Sequence, residues 1–203
     1  MKIKPESLLF DNEDFLYKKI FVTGLDEALI SHVTEFLIKK FKSKNYFIER
    51  SGIINNNLSG DLFSDKKVLF LIKNYSSKKE SLDFDDSSEN IVLISLPNNK
   101  KTGSLKSEFI RSKDAVLIDC YSLNRSAKDS VIRNFITIQN IKVTKEVFWY
   151  LLDNFSNEYV LLIKQLESLS LFDNEINTIN DIENAVFVEN KIEINKMFFH
   201  IFK

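Results

Sequence analysis

The segment from residue 18 to residue 41 constrains the fold more than any other part of this chain. Residues 20–22 (Ile-Phe-Val) form a short apolar run that ends at Gly24, which is typical of a buried strand. Asp26 then stands where a helix N-cap is expected. Beyond it, apolar residues recur at helical spacing, at Leu29, Ile30, Val33, Phe36, Leu37 and Phe41. The segment therefore predicts a strand, a tight glycine turn and a helix.

A strand, a glycine turn and a helix form the phosphate site of P-loop folds, but the residues that bind phosphate are missing here. A Walker A loop follows the pattern G-x-x-x-x-G-K-[ST], in which backbone amides and a lysine surround the phosphates. In this chain Gly24 is followed by Leu25, Asp26 and Glu27, and the next lysine is Lys39. Two carboxylates would face the anion. The sequence predicts a nucleotide-binding fold without its nucleotide chemistry.

A second requirement for ATP hydrolysis is also unmet. Hydrolysis needs acidic residues at the end of the third strand to hold magnesium and orient water. That predicted strand ends in Leu-Ile-Lys-Asn at 71–74, with no acid. We therefore expect no catalytic residue, no bound nucleotide and no other cofactor. His32, His200 and Cys120 lie too far apart to suggest metal-ligand spacing, so no metal site is expected.

Composition narrows the class of protein. The 203 residues carry a formal net charge of -1, so there is no overall basic character of the kind that indicates nucleic-acid binding. No apolar run approaches the roughly 20 residues that span a bilayer, and residues 1–6 lack the apolar part of a signal peptide. The single cysteine, Cys120, suits a reducing compartment. We expect a cytoplasmic protein that does not associate with membranes.

The remaining apolar runs predict the rest of the fold. Four more strands are expected at 46–50, 66–73, 90–97 and 114–120, separated by loops or helices. This alternation predicts an α/β domain over 1–121, with a mostly parallel five-stranded sheet and flanking helices. After Tyr121 four helices and no further strand are expected, which gives a small all-helical domain over 122–188. Residues 189–203 are interpreted as the start of a third, truncated helical domain.

Several segments in this order resemble one known family. An α/β domain followed by a helical lid is the order of AAA+ proteins. Within that group the sequence resembles the delta subunit of the bacterial DNA polymerase III clamp loader, from about Phe15 to the end. The matching segments are Phe-Val-Thr-Gly-Leu-Asp-Glu at 21–27, Leu-Ser-Gly-Asp-Leu-Phe-Ser-Asp-Lys-Lys at 58–67 leading into the strand at 68–71, and 160–172 with its follow-up at 181–186.

The resemblance implies a clamp-binding site. In the delta family the matching Leu-Phe pair inserts into a hydrophobic pocket of the sliding clamp, the beta subunit. Carried over, Leu62 and Phe63 are the anchors and Leu58 is a possible support. The residues themselves leave two interpretations open: an exposed pair with polar flanks is typical of a binding hot spot, whereas a Leu-Phe pair in a short helix is also typical of a core.

The resemblance further implies the function. A delta subunit binds the sliding clamp and helps to open its ring for loading onto primed DNA, without hydrolysing ATP. It joins the other loader subunits through a collar domain, which would begin at 189–203, and meets primer-template DNA indirectly. The family belongs to a DNA polymerase holoenzyme, but no residue here supports a polymerase or nucleotidyltransferase site.

Two other functions compete with this interpretation: a degenerate P-loop NTPase with a nonstandard loop, and a generic protein-binding adaptor of AAA+-like fold. Direct contact with DNA phosphates is a further hypothesis. It rests on a loosely spaced basic segment consisting of Lys100, Lys101, Lys106, Arg111 and Lys113.

Overall fold

The computed structural model describes residues 1–10, 17–51, 67–73, 89–98, 102–170, 175–176 and 178–185. The chain divides into two compact units, Met1–Tyr121 and Ser122–Lys203. The first unit contains β1 (Lys2–Ile3), α1 (Pro5–Phe10), β2 (Lys19–Gly24), α2 (Glu27–Ser43), β3 (Phe47–Ser51), β4 (Val68–Ile72), β5 (Ile91–Ser95), α3 (Thr102–Arg111) and β6 (Ala115–Cys120).

The strands of the first unit form one six-stranded sheet in the order β1-β6-β2-β5-β4-β3, and every pair is parallel. β2 is central, with Phe21 opposite Ile94 of β5 on one side and Leu117 of β6 on the other. Its residues are buried on both faces of the sheet, because adjacent side chains of a strand alternate and all of 20–23 are 0% exposed. Such burial explains the uninterrupted apolar runs in the sequence.

α1, α2 and α3 all contact this sheet. α3 contributes Leu105 and Phe109 to one apolar cluster with strand residues, and the rings of Phe21 and Phe109 lie 5.4 Å apart. α2 packs against β2 through the predicted apolar stripe, of which Leu29, Ile30, Val33, Leu37 and Phe41 are buried. The stripe therefore faces the sheet as its helical spacing predicts.

The second unit contains α4 (Arg125–Ile138), β7 (Lys142–Val143), α5 (Lys145–Asn154), α6 (Tyr159–Ser170), β8 (Glu175–Ile176) and α7 (Ile179–Ala185). α4 packs on α5, and both α5 and α6 contact α7. Lys128 of α4 is only 2% exposed, and its ammonium donates to the carbonyl of Phe155, the C-cap of α5. This buried hydrogen bond joins the end of one helix to the side of its neighbour.

The predicted fold class, a mostly parallel α/β sheet with flanking helices, is confirmed, and all five predicted strands are present. The sheet has a sixth strand, β1, which the five-stranded prediction omits because two residues are too few to produce a recognisable pattern. The expectation of no strand beyond Tyr121 is wrong for the same reason. β7 and β8 pair there in a separate two-stranded sheet, with Val143 opposite Ile176.

Candidate functional site

The turn that follows β2 can be examined directly, because residues 17–51 are all described. The predicted clamp anchors Leu58, Leu62 and Phe63 lie outside the described residues. The contacts of the predicted turn, unlike those of the anchors, are therefore described by the structure.

Gly24 ends β2 in a conformation that excludes side chains. Its φ angle is +149°, in the region that favours glycine. A Cβ atom at this position would lie 1.8 Å from the carbonyl oxygen of Cys120 on the adjacent strand β6. The glycine is required here because the backbones of β2 and β6 approach each other too closely for any side chain.

The backbone amides after Gly24 already have an acceptor. The amide nitrogens of Leu25 and Asp26 lie 3.0 Å and 3.2 Å from the carbonyl oxygen of Cys120 and donate hydrogen bonds to it. In a phosphate-binding loop, backbone amides at this place point at the ligand. Here the acceptor of these amides is instead a peptide carbonyl of the same chain.

The start of α2 is also capped from within the chain. Asp26 is the N-cap, and its Oδ1 atom accepts a hydrogen bond from the amide of Leu29 at 2.8 Å. Glu27 adds a second carboxylate in the first turn. Acidic side chains stabilise a helix N-terminus, and by the same charge they repel a phosphate. Neither feature favours a phosphate at this turn.

The end of β4 lacks an acid where the structure describes it. β4 ends at the buried Ile72 and is followed by the exposed Lys73. A magnesium-dependent hydrolase would place a carboxylate at this edge of the sheet. The described residues therefore supply neither free phosphate-binding amides after β2 nor an acidic residue after β4.

A polar cluster lies at the end of β6, beside the middle of α3. The ammonium of Lys106 donates to Asp119 Oδ1 at 2.8 Å and to the hydroxyl of Tyr121 at 3.3 Å. Lys2 pairs with the other oxygen of Asp119 at 2.9 Å, and Asn98 donates to Tyr121 at 3.3 Å. No local pattern in the sequence indicates this cluster, because its members come from separate parts of the chain.

The cluster fixes the charge of Asp119. Burial alone would raise the pKa of this carboxyl, but the hydrogen bonds from Lys106 and Lys2 outweigh burial and hold it below its ordinary value. Asp119 therefore carries its negative charge at neutral pH, and this charge compensates the positive charge of Lys106.

This pairing bears on the predicted basic segment. Lys106 is engaged inside the cluster, whereas Arg111 and Lys113 are exposed. Lys100 and Lys101 lie outside the described residues. Among the described members, Arg111 and Lys113 are therefore the exposed cations outside the cluster.

The structure also describes two other sequence candidates, Cys120 and His32. Cys120 is fully buried, and burial, followed by the charges of Asp26 and Asp119, raises the pKa of its thiol to about 12. Such a thiol is not a nucleophile at neutral pH. His32 is exposed on α2. Within the described residues no group of three or more histidine, cysteine or acidic side chains could hold a metal ion. Among the described helices, none combines the length and apolar character needed to cross a membrane.

Comparison with known proteins identifies the fold but no family. No protein-family profile matches the sequence, and neither does any curated protein. Among solved structures, the DNA clamp loader delta protein of Bacillus subtilis is similar, with a TM-score of 0.53 and 13% identity over 86% of this chain. The chain covers 59% of the length of that protein. At this identity the similarity concerns the fold alone.

Two other solved structures are similar at lower scores. The RuvB Holliday junction branch migration motor from Thermotoga maritima has a TM-score of 0.46 and 10% identity, covering 84% of this chain and 61% of its own. Domain III of the replication initiation protein DnaA from the same organism has a TM-score of 0.44 and 13% identity, covering 86% of each chain.

Proposed function

We propose that this chain is a delta-type clamp-loader protein that binds a sliding clamp and does not use nucleotide itself. The observation that carries the proposal is the turn after β2, where the amides of Leu25 and Asp26 are bonded to the carbonyl of Cys120. A protein with this sheet, in which the turn amides are bonded to the chain's own backbone, keeps the fold of a nucleotide-binding protein without a phosphate site. The similarity in fold to a clamp loader delta protein supports the proposal.

In this function the clamp is held by Leu62 and Phe63, with Leu58 as support. Small apolar anchors surrounded by polar residues carry much of the free energy of such interfaces. Opening of the ring then follows from differential affinity: a protein that binds the open clamp more tightly than the closed clamp shifts the equilibrium toward the open form. No covalent step is required of this chain, and energy from ATP would enter through other subunits of a loader.

The other contacts of a delta-type protein follow from the same proposal. Residues 189–203 would begin a collar domain that joins neighbouring loader subunits. Primer-template DNA would be reached through the assembled complex.

The nucleotide part of the proposal is tested by titrating the chain with ATP and magnesium in a calorimeter. We expect no binding heat at millimolar ATP, because two backbone hydrogen bonds and the carboxylates of Asp26 and Glu27 occupy the turn. Measurable, saturable binding of ATP that depends on magnesium would instead support a degenerate P-loop NTPase.

The clamp part is tested with the double variant Leu62→Ala/Phe63→Ala and the sliding clamp encoded by the same genome. If the pair is an exposed anchor, the melting temperature should stay nearly unchanged while clamp affinity falls, since truncating one hot-spot residue costs about 2 kcal/mol or more. If the pair belongs to the core, the variant should lose about 5 kcal/mol or more of stability.

The control for this experiment replaces two exposed apolar residues elsewhere in the chain. Leu25 and Ile138 are 70% and 64% exposed, so Leu25→Ala/Ile138→Ala removes apolar surface away from the proposed anchors. We expect this variant to bind the clamp like the unmodified chain. A wild-type chain that is not retained by the clamp at all would favour an adaptor for some other protein.

A further inference from the structure

The segment from Lys39 to Arg50 concentrates positive charge on one corner of the first unit. Its cations are Lys39, Lys40, Lys42, Lys44 and Arg50, and its only acid is Glu49. The net charge of these twelve residues is therefore +4, against -1 for the whole chain. Within the segment the cations therefore outnumber the acids by five to one.

The backbone of this corner is firmly fixed. α2 ends in a turn in which the amides of Lys44 and Tyr46 both donate to the carbonyl of Phe41 at 3.0 Å. Asn45 takes a φ of +65°, and its amide donates to the carbonyl of Lys42 at 3.0 Å. The ring of Tyr46 packs edge-on against the buried ring of Phe41, 5.3 Å between centroids. The turn therefore holds the cations beside the start of β3.

An exposed aromatic ring stands directly after the turn. Phe47 is the first residue of β3, and its side chain is 64% exposed. Within the described residues β3 pairs only with β4, so it is an edge of the sheet. A phenylalanine this exposed contributes little to the core and leaves a flat apolar surface in water. Lys42 and Lys44, at the end of α2, are exposed a few residues before it, and Arg50 is exposed on the opposite face of β3.

We propose that this corner, the end of α2 together with β3, binds single-stranded nucleic acid. Proteins that bind single strands without sequence preference combine a basic surface along the backbone with aromatic side chains on which bases stack. Here the exposed lysines at the end of α2, Lys39, Lys42 and Lys44, would contact phosphates and Phe47 would stack on a base. This contact is independent of the proposed clamp site.

The exposed ring is what favours nucleic acid over an acidic peptide. Lysines at the end of α2 also suit the negative end of the helix dipole, and charges on an edge strand discourage aggregation. Neither role calls for an exposed aromatic ring between them. Glu49 shares a sheet face with Phe47, because alternate residues of a strand point to the same side, and it should oppose a phosphate placed there.

The test is the binding of the intact chain to a labelled oligothymidine of about 15 nucleotides, followed by fluorescence anisotropy over a range of salt concentrations. For single strands the slope of log affinity against log salt is about -0.7 per phosphate contact. Lys39→Gln/Lys42→Gln/Lys44→Gln should therefore weaken binding and make the slope shallower by about 2. Phe47→Ala should reduce affinity by about 5-fold to 150-fold with little change in slope. Glu49→Gln should increase affinity.

Matched controls come from the second unit. Lys142→Gln/Lys145→Gln/Lys164→Gln removes the same charge from exposed positions, and Ile138→Ala removes a side chain with the same 64% exposure as Phe47. Both should bind like the unmodified chain. Phe47→Trp, made with Trp149→Phe, should retain binding and give a single tryptophan whose fluorescence is quenched by the oligonucleotide.

Three results would overturn the proposal. The first is the absence of binding at low salt. The second is equal weakening by the control triple variant, which would indicate diffuse electrostatic attraction. The third is displacement of the oligonucleotide by poly-glutamate with unchanged affinity in folded Phe47→Ala, which would identify the corner as a site for acidic polypeptides.

Discussion

Gly24 is the residue on which the geometry of the turn most depends. Its φ of +149°, and the 1.8 Å that would separate a Cβ atom from the Cys120 carbonyl oxygen, rule out any other residue without backbone movement. We expect Gly24→Ala to destabilise the protein by about 2–4 kcal/mol, since backbone strain and a steric clash with the main chain act together. Urea unfolding at neutral pH measures the change.

A second glycine provides the control for this prediction. Gly103 lies in α3, and a Cβ there would meet no atom within 4 Å. Gly103→Ala should leave stability unchanged or raise it by about 0.5–1 kcal/mol, because alanine loses less conformational entropy in a helix. Equal effects of the two substitutions would contradict the account of Gly24.

Three elements are joined at Asp119 of β6, which pairs with Lys106 of α3 and with Lys2 of β1. Because its pKa is lower in the folded chain than in the unfolded chain, the ionised carboxyl stabilises the fold above about pH 4. This stabilisation is lost as the pH falls through the lowered pKa. We expect Asp119→Asn to reduce stability at pH 7 and to flatten the acid side of the stability profile, measured by urea unfolding from about pH 7 to pH 2.

A double-mutant cycle separates this pair from other acid effects. In a Lys106→Met background, the effect of Asp119→Asn at pH 7 should shrink, because the main partner of the carboxylate is gone. Lys2 would still contact the carboxylate, so a residual effect is expected. An undiminished effect of Asp119→Asn in that background would show that Lys106 does not stabilise Asp119.

The predictability of elements from this sequence depends on how local their signal is. The strand over 20–22, the N-cap Asp26 and the apolar stripe of α2 are predicted correctly because each is encoded in neighbouring residues. β1 and β7 are two residues long, so no period can be seen in them. The hydrogen bonds from Leu25 and Asp26 to Cys120 join residues almost one hundred positions apart, and no local pattern encodes such a contact.

For the whole molecule, the sheet order explains where independent stability should lie. All six strands of the main sheet and the helices packed on it fall within Met1–Tyr121. We expect a fragment of residues 1–121 to unfold cooperatively in urea, with a circular dichroism spectrum of a mixed α/β protein. A fragment without a cooperative transition would show that the sheet needs residues beyond Tyr121. The intact chain, unfolded under the same conditions, is the reference.

The carbonyl of Cys120 also limits how phosphate binding at this turn could evolve. Phosphate binding at this turn cannot be reached by placing a lysine after Gly24, because the amides of Leu25 and Asp26 would first have to leave an acceptor that the main chain of β6 supplies. No side-chain substitution removes a backbone carbonyl. A path toward nucleotide use would therefore require the loop to lengthen before any new side chain could be favoured, and each intermediate would lose two hydrogen bonds without yet gaining a ligand.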